Sequence, residues 1–186
     1  GNSQIMLAVK SGKAIRFEEG KTRPMGRNAS GVRGIRLKDS NDEVVGMISV
    51  NDMDANILVV SENGYGKRSS LEDYRLTNRG GKGVKTISIT EKTGDLVSIK
   101  NVDDSNGLMI INKSGIAIRM AVEDLRVMGR ATQGVKLINI KDGDSIAAVA
   151  KVIHEKDEDQ HDEELESAEE NNTNSVSYTH LTLPTK

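Results

Sequence analysis

Three segments of the 186-residue chain can be written one above another: Arg23-Pro24-Met25-Gly26-Arg27-Asn28-Ala29-Ser30-Gly31-Val32, Arg75-Leu76-Thr77-Asn78-Arg79-Gly80-Gly81-Lys82-Gly83-Val84 and Arg126-Val127-Met128-Gly129-Arg130-Ala131-Thr132-Gln133-Gly134-Val135. Each reads Arg, three residues, Arg, three residues, Gly-Val, and the copies stand 52 and then 51 residues apart. Gly12, Gly64 and Gly115 recur at the same spacing, and so do Arg16, Arg68 and Arg119. Separate features sharing one period make this a chain of three repeats, each of which must hide its apolar face against a neighbour.

Within a unit the apolar runs are short and divided by glycine turns. Ile5-Met6-Leu7-Ala8-Val9, Ile57-Leu58-Val59-Val60 and Leu108-Met109-Ile110-Ile111 are strand candidates. Each leads into a tight turn at Ser11-Gly12, Asn63-Gly64 or Ser114-Gly115, where glycine supplies the positive φ of a hairpin. Returning strands follow at Ala14–Phe17, around Lys67-Arg68 and at Ile116–Arg119. A third strand is predicted after each arginine loop, over Val32–Leu37, Val84–Ile89 and Val135–Ile140, and a fourth over Val44–Val50, Leu96–Val102 and Ile146–Val152. Helical solenoids have similar periods, but these runs are short and β-branched, and only Ser70–Tyr74 and Val122–Leu125 look helical. The expectation is an all-β, propeller-like array of three four-stranded blades over 1–50, 51–104 and 105–153, cut from a larger one. The chain opens at Gly1 without a methionine, and we expect it to be a C-terminal piece of a longer protein.

With no Trp, one Phe and three Tyr, the core must be filled by Ile, Val, Leu and Met. The absence of cysteine excludes disulfides and thiolate metal sites and fits a reducing compartment. No apolar run approaches the ~20 residues that span a bilayer, and no membrane partner is expected. The net charge of −2 conceals two opposite parts. Residues 1–153 hold 24 Lys and Arg against 18 Asp and Glu, whereas 154–186 hold 2 against 10. A basic body suggests a polyanionic partner, and an acidic tail beside it suggests an electrostatic competitor for the same surface. Residues 154–174 are expected to be disordered, being too acidic to bury apolar surface. Residues 175–186 change character again, and we read them as a cloning or sequencing artefact.

No catalytic centre is legible. His154, His161 and His180 all lie in the tail, and no nucleophile stands beside a base in a structured region. The pairs Asp52/Asp54, Asp103/Asp104 and Glu123/Asp124 read as solvated turns, and the Gly-rich Asn78–Gly83 lacks the spacing and the Lys-Ser/Thr end of a nucleotide cradle. No cofactor and no metal site is expected in this chain. The arginine loops are different. A Gly-rich bend brings backbone N–H groups close to a phosphate, and flanking Arg and Lys add charge and forked hydrogen bonds. Arg27, Arg33 and Arg36 surround one such bend, Arg79, Lys82 and Lys85 the second, and Arg126, Arg130 and Lys136 the third. Repetition at every blade would set these patches in a row. The recurring Gly31, Gly83 and Gly134 and the valine after each are read as turn and core, Arg23, Arg75 and Arg126 stay open between the two roles, and Arg27, Arg79, Lys82 and Arg130 are read as phosphate contacts. Tyr65 could stack on a base, though packing in its hairpin is the simpler role.

Met25–Leu37, Asn63-Gly64-Tyr65-Gly66-Lys67-Arg68 and Val127–Val135 resemble the last three blades of the C-terminal β-pinwheel domain of the bacterial DNA gyrase A subunit, over about residues 3–153. The acidic tail is similar to that family's too. The resemblance implies a six-bladed parent domain that bends double-stranded DNA around a basic rim within an ATP-dependent type II topoisomerase. It implies an assembly of two A and two B subunits in the bacterial cytoplasm, with ATP and magnesium used by parts outside this chain. It implies that Arg27, Arg79, Lys82 and Arg130 touch backbone phosphates and do not read bases, and Lys67 and Arg68 stand with them among the expected DNA contacts. One departure is visible: the family's box, Gln-Arg-Arg-Gly-Gly-Arg/Lys-Gly, has its nearest match in Thr77-Asn78-Arg79-Gly80-Gly81-Lys82-Gly83, without the leading Gln and Arg. The expectation is therefore DNA binding without complete chiral wrapping. The similar topoisomerase IV pinwheel is the nearer alternative, and a propeller-like protein-interaction module with merely solvated charges is the more distant one.

Overall fold

The computed structural model describes residues 2–141 and 143–153, with Ile153 described in its backbone alone. The expected disordered acidic tail and the artefactual end lie outside the described residues. Eleven strands are described: β1 (Gln4–Val9), β2 (Lys13–Glu18), β3 (Val44–Val50), β4 (Asn56–Ser61), β5 (Tyr65–Ser70), β6 (Val84–Lys85), β7 (Leu96–Val102), β8 (Asn106–Asn112), β9 (Ala117–Ala121), β10 (Val135–Lys136) and β11 (Ile146–Ile153). They form three sheets, in the orders β3-β1-β2-β6, β10-β5-β4-β7 and β11-β8-β9. Every pairing between named strands is antiparallel.

The sheet orders overturn one expectation. The strand after each arginine loop does not join its own repeat. β6, from the second repeat, pairs with β2 of the first at Lys13↔Lys85 and Ala14↔Val84, and β10 pairs with β5 at Tyr65↔Lys136 and Gly66↔Val135. These strands are also two residues long instead of six, because the chain turns inward at once: Thr86 N and Ile87 N both donate to Gly12 O, and Leu137 N to Gly64 O. The equivalent Val32–Leu37 forms no strand and makes only an isolated bridge, Ile35↔Gly81. Two four-stranded sheets and one of three strands result. Leu71–Asp73 forms a 3-10 turn where a helical stretch was expected, whereas Val122–Leu125 forms none; Glu19–Lys21 makes a second such turn.

Alternation along the strands decides where the core sits. Successive side chains of a strand point to opposite faces, and β4 sends Ile57 and Val59 to one neighbour and Leu58 and Val60 to the other. Ile57 and Val59 pack with Met6, Ala8, Ala14 and Val50 of the first sheet; Leu58 and Val60 pack with Leu108, Ile110 and Val149 of the third. The middle sheet is thus buried on both faces, which is why Ile57–Val60 reads as an unbroken apolar run. Hairpin glycines stand at the joints. A Cβ on Gly12, at φ +78, would lie 2.9 Å from Ile87 O, and one on Gly64 2.8 Å from Ile138 O, both under contact distance. The adjacent loops are pinned by Asp42, which accepts from Ser11 N at 2.9 Å, Ser11 Oγ at 2.8 Å and Lys38 N at 2.9 Å. Burial opposes the charge on Asp42, but those donors outweigh it and hold the carboxyl below its usual range.

Candidate nucleic-acid interface

The arginine loops of the second and third repeats each lie back across the preceding repeat. In the second, Thr77 N donates to Arg16 O at 2.9 Å, Gly80 N donates to Gly34 O at 2.5 Å, and Arg36 N donates to Gly81 O at 2.8 Å. In the third, Met128 N donates to Arg68 O at 2.8 Å, and Ser88 N to Thr132 O at 3.1 Å. The glycine that ends each loop has no room for a side chain. Gly83, at φ +69, would place a Cβ 2.6 Å from Ala14 O, and Gly134, at φ +83, 2.5 Å from Gly66 O. This bears out the turn role expected for both.

Draping one loop over the previous repeat brings together cations that are far apart in sequence. Arg79 donates from Nε to Lys21 O at 3.0 Å and from Nη1 to Arg33 O at 3.2 Å. Arg130 donates from Nη1 to Lys85 O at 2.9 Å. Arg33 and Lys85 occupy the same place in their repeats, so one geometry is used twice. Lys82 and Arg36 are exposed on the first of these groupings, and Lys85 is exposed on the second. Lys85 stands opposite Lys13 across the β2–β6 pair, and exposed Lys136 opposite Tyr65 across β5–β10. Arg27 is exposed on the loop of the first repeat. Lys13, at the start of β2, gains its place beside Lys85 only through this strand exchange. Tyr65 is half-buried, with the Lys92 ammonium 5.4 Å from its ring centroid. The arrangement sets basic side chains at both blade boundaries, a strip suited to a polyanion.

Lys67 and Arg68 do not belong to that strip. Lys67 has no exposed surface and Arg68 has 7%. The Lys67 ammonium donates to Gly129 O at 2.6 Å and Thr132 Oγ1 at 3.1 Å. Burial lowers its pKa to about 8, against the charge of Asp73, which favours the ammonium, and together with that of Arg130, which opposes it. Arg68 donates from Nε to Leu125 O and pairs through Nη1 with Asp104. The homologous Arg16 donates to Leu71 O at 2.9 Å and Tyr74 O at 3.0 Å, across the first boundary. The expectation that Lys67 and Arg68 touch DNA is therefore withdrawn, because both are buried and Lys67 Nζ, Arg68 Nε and Arg68 Nη1 are bonded inside the protein. The spacing of Arg16, Arg68 and Arg119 was the available signal: a cation kept at one place in a buried hairpin can tie one blade to the next. Among the described residues no group of three His, Cys, Asp or Glu side chains could hold a metal ion, and no helix is long and apolar enough to cross a membrane.

Repeated antiparallel sheets that exchange a short strand and pack face to face define a β-propeller-type array. The chain belongs to the family described as DNA gyrase C-terminal domain, beta-propeller, whose model matches residues 4–51, 55–103 and 108–153. It is 45% identical over 172 residues to the DNA gyrase A subunit of Staphylococcus aureus (strain MRSA252), an alignment covering 91% of this chain and 19% of that protein. It is 45% identical over 158 residues to the corresponding protein of Staphylococcus epidermidis (strain ATCC 12228 / FDA PCI 1200), covering 84% and 18%. The chain thus spans about a fifth of the curated relatives it matches. A solved DNA gyrase A C-terminal domain superposes with a TM-score of 0.74 at 27% identity, over 82% of this chain and 51% of that one. The C-terminal domain of DNA topoisomerase IV superposes at 0.78 over 90% and 52%, but at 21% identity this shows the shared fold alone.

Proposed function

We propose that this chain, as part of a DNA gyrase A subunit, holds the backbone of duplex DNA along the strip formed by Arg27, Arg33, Arg36, Arg79, Lys82, Lys85, Arg130 and Lys136. The observation that carries the proposal is the twice-used geometry in which Arg79 lies on Arg33 O and Arg130 on Lys85 O, joining separate loops into one cationic surface. A surface of this kind engages phosphates without selecting bases. In the parent, DNA held here would be returned to the cleavage core and support ATP-dependent negative supercoiling by a type II topoisomerase. The nucleotide and magnesium chemistry belongs to other regions of that assembly, proposed as two A and two B subunits in the bacterial cytoplasm. Because Thr77–Gly83 lacks the leading Gln and Arg of the family box, the chain alone is proposed to bind DNA without completing a chiral wrap.

Titration of a fluorescent duplex against salt tests the assignment. Log K should fall linearly with log salt at about −0.9 per phosphate engaged, and Arg79→Ala should weaken binding equally for unrelated sequences. No affinity at low salt would leave the protein-interaction module standing. A topology assay in which the chain constrains supercoils as a complete pinwheel does would refute the incomplete wrap.

A further inference from the structure

Lys67 stands where the other two repeats carry Ile15 and Ile118. It lies in β5 with none of its surface exposed, yet its ammonium crosses to the loop of the third repeat and is bonded to Gly129 O and Thr132 Oγ1. The first blade boundary fills the same place differently. There the loop residue equivalent to Thr132 is Gly81, and Ile15 lies against it, its Cδ1 3.4 Å from where a Cβ on Gly81 would stand. Isoleucine on glycine at one boundary is replaced by lysine on threonine at the other, a paired exchange. Burying an ammonium is costly unless its donors are used, and simple packing would be served by the isoleucine that the neighbouring repeats have. The groups that receive Lys67 belong to one turn. Thr132 N and Thr132 Oγ1 both donate to Gly129 O, at 3.3 and 3.0 Å, closing Gly129–Thr132 around Arg130.

We infer that Lys67 is a positioning residue for DNA binding: by holding Gly129 O and Thr132 Oγ1 it fixes the turn from which Arg130 is presented to the phosphate backbone. The inference rests on the DNA reading above, and the two can fail separately. In the full chain, amide exchange at residues 129–132 and duplex affinity across salt are measured for wild type, Lys67→Ile, Thr132→Gly and the pair. Lys67→Ile should speed exchange in the turn, weaken duplex binding roughly 3- to 10-fold and reduce the salt slope by about 0.9, the share of one phosphate. The pair, which copies Ile15 on Gly81, should restore both. Unchanged exchange and affinity in Lys67→Ile would overturn the inference, as would a pair no better than the single variant. Should Lys67→Ile fail to fold, the pair alone decides, and it must match wild type in affinity and slope. If wild type binds no duplex at any salt, the DNA reading falls, while the exchange rates still decide whether Lys67 holds the turn.

Discussion

Cations of this chain divide into two kinds by where their donors go, and substitution should separate them. Arg68 satisfies Leu125 O from a buried position, so Arg68→Met strands an acceptor in the core. A cost of about 2–3 kcal/mol is expected in urea unfolding. Arg27→Ala and Lys82→Ala, at exposed positions, should stay within about 0.5 kcal/mol of wild type and lower only DNA affinity. Equal losses of stability in all three would contradict the division. Lys67 adds a pH signature. Its folded pKa of about 8 lies below the free value of 10.5, so between those limits the unfolded chain binds the extra proton and stability rises with pH. Below pH 8 both states are protonated and the burial penalty is present in full. Unfolding free energy measured from pH 7 to 11 should therefore climb for wild type relative to Lys67→Ile, and parallel curves would show that the ammonium is not desolvated.

At the scale of elements, the exchanged strands β6 and β10 do more than two residues of pairing would suggest. Each passes within contact distance of the preceding hairpin, and Gly83 and Gly134 set that approach. Gly134→Ala must displace the backbone at Gly66 while also straining a positive φ, at an expected cost above about 2 kcal/mol. Gly31→Ala has the same strain at φ +77 but meets nothing within 4 Å, so its loss should be smaller by the contact component. A thermal-melt comparison of the two variants checks this, and equal shifts would mean that conformation alone matters. The alternating runs, hairpin glycines and turn residues of β1–β2, β4–β5 and β8–β9 were legible because they depend on neighbours along the chain. The destination of Val84-Lys85 was not, because a two-residue strand carries no periodicity and its partner lies about 70 residues away in the preceding repeat.

At the scale of the whole molecule, charge is the property that governs the proposed activity. On the DNA reading proposed above, a segment with 2 Lys and Arg against 10 Asp and Glu, tethered to a body with 24 against 18, would compete with DNA at high effective concentration. Removing residues 154–186 should tighten duplex binding at low salt, and the gain should shrink as screening shortens the reach of charge to ~8 Å. Equal affinities for the two chains across salt would discard the competition.

Repetition and the three hairpins β1–β2, β4–β5 and β8–β9 followed from sequence alone, since a 52- and 51-residue period and alternating apolar runs are local or self-referring properties. Only the tertiary structure decided which cations face outward. Lys67 and Lys82 look alike in sequence, each beside glycine, but one is completely buried and the other exposed. The difference arises from the strand exchanged between repeats: it lays the third repeat's loop on the hairpin before it, enclosing Lys67 and Arg68 where their donors meet backbone carbonyls. A contact between residues more than 50 positions apart leaves no mark on the spacing of either.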